Sequence, residues 1–154
     1  MMRDWEKLKR LSAAEIGILF KAAALFPLVS TGVRIIGLKR MHTLLRWPTS
    51  AVAVARDEGS PARSAENIAR LVRIAAGRGL ARPTCLPRAL VLWTLLRRHG
   101  FEARIRFGVR KSSARMEAHA WVELDGRVIN EQQCIANVYA PLEPTAISGP
   151  ARLP

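Results

Sequence analysis

Hydrophobic and polar positions along this chain of 154 residues change their period near residue 100. Upstream, apolar residues recur every three or four positions, as on one face of a helix; downstream, they alternate with polar residues, as on a half-buried strand. This order predicts a single α+β domain with a helical part (1–80), a core (81–138) and a tail (139–154). The four prolines of the tail favour a segment that lies over the surface or frays.

The helical part predicts two helices over residues 3–44, broken near Pro27, and a third over 65–77 after a proline- and glycine-containing connector. Ser64 is the expected N-cap of the third helix. The first helix has apolar residues near helical spacing at Trp5, Leu8, Leu11, Ile16, Leu19 and Phe20. The apolar face of the third is Ile68, Leu71, Val72 and Ala75.

The core opens with a buried helix that begins at Cys85 and ends at His99-Gly100. Thr84 is a natural N-cap, and Pro87 is tolerated because it falls in the first turn. Apolar residues then follow at helical spacing: Leu86, Ala89, Leu90, Trp93 and Leu96.

Three strands are predicted after this helix, over 103–109, 117–124 and 127–131. A polar link, 110–115, joins the first two strands. Asp125-Gly126 turns the chain between the second and the third. We therefore expect an antiparallel sheet packed on the Cys85 helix.

Apolar residues make up 49% of the chain, which excludes disorder despite a formal net charge of +13. Twenty of the 25 basic residues are arginine, scattered from Arg3 to Arg152 without a stripe of interleaved aromatics, so no nucleic-acid partner is expected. Two interpretations of the charge stay open. It reflects a well-solvated surface from a GC-rich coding preference, or it attracts an acidic protein, peptide or membrane surface.

The most membrane-like segment is 12–38, but Glu15, Lys21 and Arg34 interrupt it and its longest uncharged run is Ala22–Val33. That run is shorter than the roughly 20 residues that a spanning helix needs. We expect a buried helical pair, with peripheral contact at a membrane surface left open.

The first ten residues, Met1–Arg10, carry charges throughout and do not form a signal peptide, which predicts a cytoplasmic protein. Cys85 and Cys134 form no CxxC or metal-spaced cluster, and a structural disulfide is not expected. We predict neither a metal nor a cofactor.

Cys85 and His119 are the candidate reactive pair. A cysteine at a helix N-terminus is favoured as thiolate by the macrodipole, and the unpaired N–H groups there can hold an oxyanion. A cysteine on a helix end facing a histidine on a sheet is how papain-like and transglutaminase-like folds build a nucleophile and its base. The alternative is an inert packed thiol and an ordinary strand histidine.

A third residue can be sought from the register of the last hairpin. With a two-residue turn at Asp125-Gly126, Gln132 faces His119; with a three-residue loop and a glycine-type bulge, Glu131 does. We choose Glu131 to orient the imidazole, with Gln132 and Asn130 as alternatives. Arg88, one turn beyond Cys85, is expected to pair with a carboxylate, with substrate binding as the alternative.

The run CLPRALVLWTLLRRHGFEARIRFGVRK, with EAHAWVELDGRVINE after it, closely resembles the transglutaminase-like leader peptidases of lasso-peptide biosynthesis. The likeness is strongest over 83–131, whereas residues 1–80 agree only in helical character. Ala-His-Ala-Trp recurs across transglutaminase-like proteases. The narrower likeness depends on Cys-Leu-x-Arg-Ala-Leu and on the compact length.

This resemblance implies a cysteine endopeptidase that removes the leader of a ribosomally synthesised precursor through an acyl-enzyme, before an ATP-using lasso cyclase closes the ring. Carried over residue by residue, Cys85 is the nucleophile, His119 the base, and Glu131 stands where the family usually has aspartate. A separate leader-recognition protein and the cyclase are the implied partners. The alternative is a non-catalytic peptide- or partner-binding module on the same fold.

Overall fold

The computed structural model describes residues 11–46, 61–78, 83–112, 115–131, 135 and 138–142. Within these ranges, three helices precede a four-stranded antiparallel sheet, which confirms the α+β class. The elements are α1 (Ala13–Arg46), α2 (Pro61–Arg78), α3 (Cys85–Arg98), β1 (Arg104–Ser112), β2 (Arg115–Leu124), β3 (Arg127–Val128) and β4 (Ala140–Pro141). The division of the chain into one domain with three zones stays a prediction, because each zone extends beyond these ranges.

The predicted break at Pro27 is wrong, because α1 continues through this residue and kinks at Gly37 instead. Gly37 has φ 80° and ψ 165°, a left-handed conformation that a residue without a Cβ adopts at little cost. Pro27 and Ala23, whose carbonyl loses its helical partner, are both exposed. Water can satisfy that carbonyl, and the proline is therefore tolerated.

The face of α1 that packs inward also differs from the prediction. Ile16 is 43% exposed and Phe20 75% exposed, whereas Leu11 and Leu19 are partly buried against the core. Trp5 and Leu8 lie outside the described residues. The buried positions before the kink are Ile18, Ala22, Phe26 and Val29. Because α1 is apolar nearly all round, its periodicity does not select a face.

By length and composition, α1 is also able to cross a membrane. Its most apolar stretch of 18 residues has a mean hydropathy of 1.8, and 22% of that stretch is buried within the protein. The sequence estimate of a helix too short to span counted only the uncharged run Ala22–Val33, whereas α1 continues through Pro27 and includes Lys21 and Arg34. Buried core helices meet the same criteria, and α1 packs on both α2 and α3.

The second helix, α2, buries the four residues predicted for its apolar face. It begins at Pro61, so Ser64 lies inside the helix and is not its N-cap. Asn67 and Arg70 each donate to Glu15 Oε1, at 2.9 and 3.0 Å, which ties α2 to the start of α1. These bonds, with those from Ser12, lower the pKa of Glu15 below its usual value.

The third helix, α3, has the predicted bounds and lies at the centre of the core. Thr84 occupies the N-cap position, although its side chain makes no capping hydrogen bond. The body of the helix is buried from Ala89 to Leu96, and Trp93 Nε1 donates to the Ala103 carbonyl at 3.0 Å. Gly100, with φ 80°, follows the C-cap His99 and ends the helix.

The sheet has the strand order β3-β2-β1-β4. Positive φ at Asp125 (49°) and Gly126 (76°) is typical of a two-residue type I′ turn, and Leu124 pairs with Arg127. The three-residue loop with a bulge is therefore wrong. β3 is also shorter than predicted, since it ends at Val128.

The first residues of the predicted tail lie on the surface, as expected, and form an exposed edge strand of the sheet. Ala140 and Pro141 pair with Val109 and Gly108 of β1, and Leu142 N donates to the Phe107 carbonyl at 2.8 Å. Proline is compatible with this position because β4 is an edge strand. The rest of the tail, 143–154, lies outside the described residues.

Candidate functional site

His119 and Glu131 are in direct contact. Nε2 of His119 lies 3.2 Å from Oε1 of Glu131, although the register of the two-residue turn would place Gln132 opposite His119. The chain leaves the β2–β3 ladder after β3, where the Asn130 side chain, rather than a backbone carbonyl, accepts the Val122 N–H at 2.8 Å. This departure from regular pairing brings Glu131 to the imidazole. Of the two alternatives to Glu131, the Asn130 side chain accepts a hydrogen bond from the backbone of β2, and Gln132 lies outside the described residues.

The contact determines which nitrogen of His119 carries a proton in the neutral ring. An ionised carboxylate only accepts hydrogen bonds, so Nε2 is the donor and Nδ1 keeps its lone pair. The side chains of His119 and Glu131 are 19% and 35% exposed, so the pair is reachable from solvent. Nδ1 is therefore the ring nitrogen with a lone pair that can accept a proton.

Two aromatic rings lie beside the imidazole. Tyr139 stacks on His119 at 5.2 Å between ring centroids, and Trp121 lies at 6.4 Å. Trp121 is 1% exposed, and its Nε1 donates to Glu123 Oε1 at 2.9 Å. The rings restrict the orientation of His119. Tyr139 was missed in the sequence because only the pairing of the following strand, β4, with β1 brings it to the site.

Gly108, which is paired with His119 across β1 and β2, leaves room for these rings. A Cβ on Gly108 would lie 2.8 Å from Trp121 Cη2 and 2.9 Å from Tyr139 Cβ. Both distances are shorter than a van der Waals contact. Glycine is therefore required here for close packing rather than for backbone conformation.

Cys85 is a free, half-buried cysteine at the first helical residue of α3. It lines a cavity of about 200 Å³ whose polar lining also includes Arg73, Arg88, Asn130 and Glu131. Aliphatic side chains of α2 and Leu92 form the rest of the lining. Cys85 and Glu131 thus share one cavity, and Glu131 in turn holds His119. Glu131 therefore links the two other predicted residues, since it shares the cavity with Cys85 and contacts His119, while the catalytic role of the three stays a prediction.

The start of α3 supplies hydrogen-bond donors next to the sulfur. The N–H groups of Cys85 and Leu86 precede the first backbone bond of the helix, from Arg88 N to the Thr84 carbonyl. The Thr84 hydroxyl makes no capping hydrogen bond to them. They are therefore able to stabilise an oxyanion that forms beside Cys85.

Arg88 is exposed and lines the cavity. The ion pairs among the described residues do not include one between Arg88 and a carboxylate such as Glu102. The expected structural pairing of Arg88 is therefore not observed.

The other histidines are outside this site. His42 is 7% exposed and stacks on Trp93 at 4.6 Å between ring centroids. Burial, with smaller contributions from Arg46 and Arg97, lowers the pKa of His42 to about 4. Burial and Lys21 also lower the pKa of His99. In the parts of the chain that the structure describes, no three His, Cys, Asp or Glu side chains form a metal-binding cluster.

Residues 28–143 match the family model of the transglutaminase-like superfamily. The chain belongs to this superfamily. The matched range covers most of α1, all of α2 and α3, and the sheet, so it includes Cys85, His119 and Glu131. Domains of this superfamily are often cysteine peptidases or transferases. Neither a curated protein nor a solved structure matches the chain significantly.

Proposed function

We propose that this protein is a cysteine endopeptidase that removes the leader from a ribosomally synthesised lasso-peptide precursor. The observation that carries the proposal is the His119–Glu131 contact beside the cavity that Cys85 and Glu131 share. In this proposal Cys85 is the nucleophile, His119 the general base, and Glu131 the residue that orients the imidazole. A nucleophile, a base and an orienting group in this order form a triad.

In the acylation step, Nδ1 of His119 takes the proton of the Cys85 thiol, and the sulfur attacks the carbonyl carbon that ends the leader. The new C–S bond moves the carbonyl electron pair onto oxygen, where the N–H groups at the start of α3 stabilise it. The C–N bond then breaks. His119 returns the proton to the departing amine, which leaves a thioester on Cys85.

In the deacylation step, water attacks the thioester carbonyl while His119 takes one of its protons. The C–S bond breaks, the leader leaves with a new carboxyl terminus, and the proton returns to the Cys85 sulfur. Glu131 stays ionised and keeps the imidazole in the orientation and tautomer that both steps need.

The lasso-peptide assignment is supported by the resemblance over residues 83–131. We propose that a separate leader-recognition protein presents the precursor, and that the released core passes to an ATP-using cyclase, all in the cytoplasm. Contact with a membrane surface, if it occurs, is peripheral. Copurification of this chain with its precursor and these two partners, expressed together, tests this part.

The catalytic assignment is tested by Cys85→Ala. We expect leader cleavage to fall to background, while the circular dichroism spectrum and binding of the precursor stay unchanged. Cys134→Ala is the matched control and should cleave normally. Cleavage retained in Cys85→Ala would reject the assignment of the nucleophile.

A second measurement separates an enzyme from a non-catalytic binding module on the same fold. Iodoacetamide at neutral pH should alkylate Cys85 faster than it alkylates free cysteine, because in the proposed mechanism His119 takes the proton of the thiol. An alkylation rate no higher than that of free cysteine would favour the binding module.

A further inference from the structure

We propose that the cavity beside Cys85 is a carboxylate-binding subsite, in which Arg73 of α2 and Arg88 of α3 hold an anionic group of the peptide substrate. The proposal rests on the proposed function, because it names a chemical feature of the peptide that this site cleaves.

The cavity has the size and the lining for one acidic side chain. Its volume is about 200 Å³. Arg73 lies four residues after Ala69 and three before Ala76, with Val72 next to it, so one face of α2 presents Arg73 among small aliphatic side chains. Arg88 enters from α3, one turn beyond Cys85. The methylene groups of a substrate Glu or Asp side chain can pack on this aliphatic face, while its carboxylate reaches the guanidinium groups of Arg73 and Arg88.

The charge of the cavity is positive. Three other arginines of the described residues are paired with a carboxylate, Arg70 with Glu15, Arg106 with Glu123 and Arg110 with Glu117. Among the same residues no ion pair involves Arg73 or Arg88. Glu131, the carboxylate that lines the cavity, uses Oε1 for His119. Two guanidinium groups therefore face one carboxylate that is already engaged.

Guanidinium groups bind carboxylates through charge-assisted, often bidentate hydrogen bonds. A carboxylate has two sources on a peptide, a Glu or Asp side chain near the scissile bond or the C-terminus itself. The proposed endopeptidase activity favours the side chain. A terminal carboxylate would instead place the cut close to the end of the peptide.

The test uses quenched fluorescent peptides that carry Glu, Gln or Leu at one scanned position, each with either a C-terminal carboxylate or an amide. We expect Glu at one position to raise kcat/KM about tenfold or more over Gln. Arg73→Gln and Arg88→Gln should each remove most of this preference, mainly through KM. Arg70→Gln is the matched control, because it removes a guanidinium group from α2 outside the cavity, and it should keep the preference.

Binding of the same peptides to Cys85→Ala, followed by fluorescence anisotropy, gives a readout that does not depend on catalysis. A Glu preference that Arg73→Gln or Arg88→Gln abolishes in this background supports the subsite even if no peptide is cleaved. A preference for the terminal carboxylate over the amide, lost in the same variants, supports carboxylate binding and assigns its source to the C-terminus.

Equal binding of Glu and Gln peptides, and of acid and amide peptides, would overturn the subsite. Cleavage of these peptides at equal rates would overturn it as well, yet would leave the proposed peptidase intact. Variants that still fold but keep the Glu preference would show that other residues provide it. Failure of the subsite and failure of the peptidase are therefore distinguishable.

Discussion

His42 and His119 both stack on an aromatic ring, but their surroundings carry opposite charge. His119 contacts Glu131 at 3.2 Å beside a cavity, whereas His42 is buried against Trp93 with Arg46 and Arg97 nearby. Burial, and to a smaller extent the two arginines, lower the pKa of His42. The two rings therefore differ in their polar neighbours rather than in having an aromatic one, with a carboxylate at His119 and two arginines at His42. In the proposed mechanism His119 transfers the proton, whereas His42 packs on Trp93 in the core.

The largest effect expected from this comparison is on catalysis. His119→Ala should lower the cleavage rate about 1,000-fold, because the thiol loses its base. His42→Phe, which keeps an aromatic ring against Trp93, should leave the rate unchanged. Both are measured with the precursor under single-turnover conditions. Equal losses of cleavage rate in the two variants would show that the two histidines do not differ in their contribution to catalysis.

The next largest effect is on the pH dependence of the free energy of unfolding. The pKa of His42 falls from 6.5 in the unfolded chain to about 4 in the folded protein, so between these values only the unfolded chain takes up the proton. The free energy of unfolding should therefore decrease by roughly 2–3 kcal/mol as pH falls from 6.5 to 4, and this contribution should level off below pH 4. Urea denaturation at a series of pH values measures it.

His42→Phe is the control for this decrease in the free energy of unfolding. The variant keeps the contributions of other groups, such as His99, so the difference between the two stability curves isolates His42. Parallel curves for the wild type and His42→Phe would show that the buried ring does not resist protonation.

The role of Glu131 gives a smaller effect on rate. Glu131→Gln keeps a hydrogen-bond acceptor but removes the charge that stabilises the imidazolium, and we expect kcat to fall about 10- to 100-fold. Glu131→Asp should recover part of the loss if the shorter side chain still reaches Nε2. A kcat equal to that of the wild type in both variants would assign the orientation of His119 to its aromatic neighbours.

The smallest effect concerns Arg97, whose guanidinium carbon lies 5.3 Å from the centroid of the Trp93 ring. Arg97→Met removes a cation that disfavours protonation of His42, so the pKa of His42 should rise by a fraction of a unit. NMR titration of the histidine side chains measures the change. Because burial is the larger cause, a rise back to 6.5 would contradict the ranking of the two causes.

The sequence predicted the class of fold and the neighbourhood of the site because those features have local signals. Thr84 and Pro87 mark the start of α3, and Asp125-Gly126 marks the last turn. The change to a period of two after residue 100 predicts β1 and β2, and it therefore places His119 on a strand of the sheet. These signals depend on a few neighbouring residues, so one chain was enough to read them.

Other features depend on contacts that no local pattern contains. The prediction of the inner face of α1 was wrong because apolar residues cover both sides of the helix. Only packing on α2 and α3 determines which side is buried. The loop chosen for the last hairpin was also wrong, although Glu131 still meets His119. The reason is the side chain of Asn130, which replaces a backbone partner of Val122. Tyr139 reaches the site through pairing of β4 with β1.

The two edge strands of the sheet, β3 and β4, are only two residues long. β4 contains Pro141, which has no backbone N–H group to donate. Because β3 pairs only with Glu123 and Leu124, and β4 only with Gly108 and Val109, the two edge strands cover only short parts of the outer edges of β2 and β1. The uncovered backbone N–H and C=O groups of the two longer strands are the groups with which an added extended chain pairs.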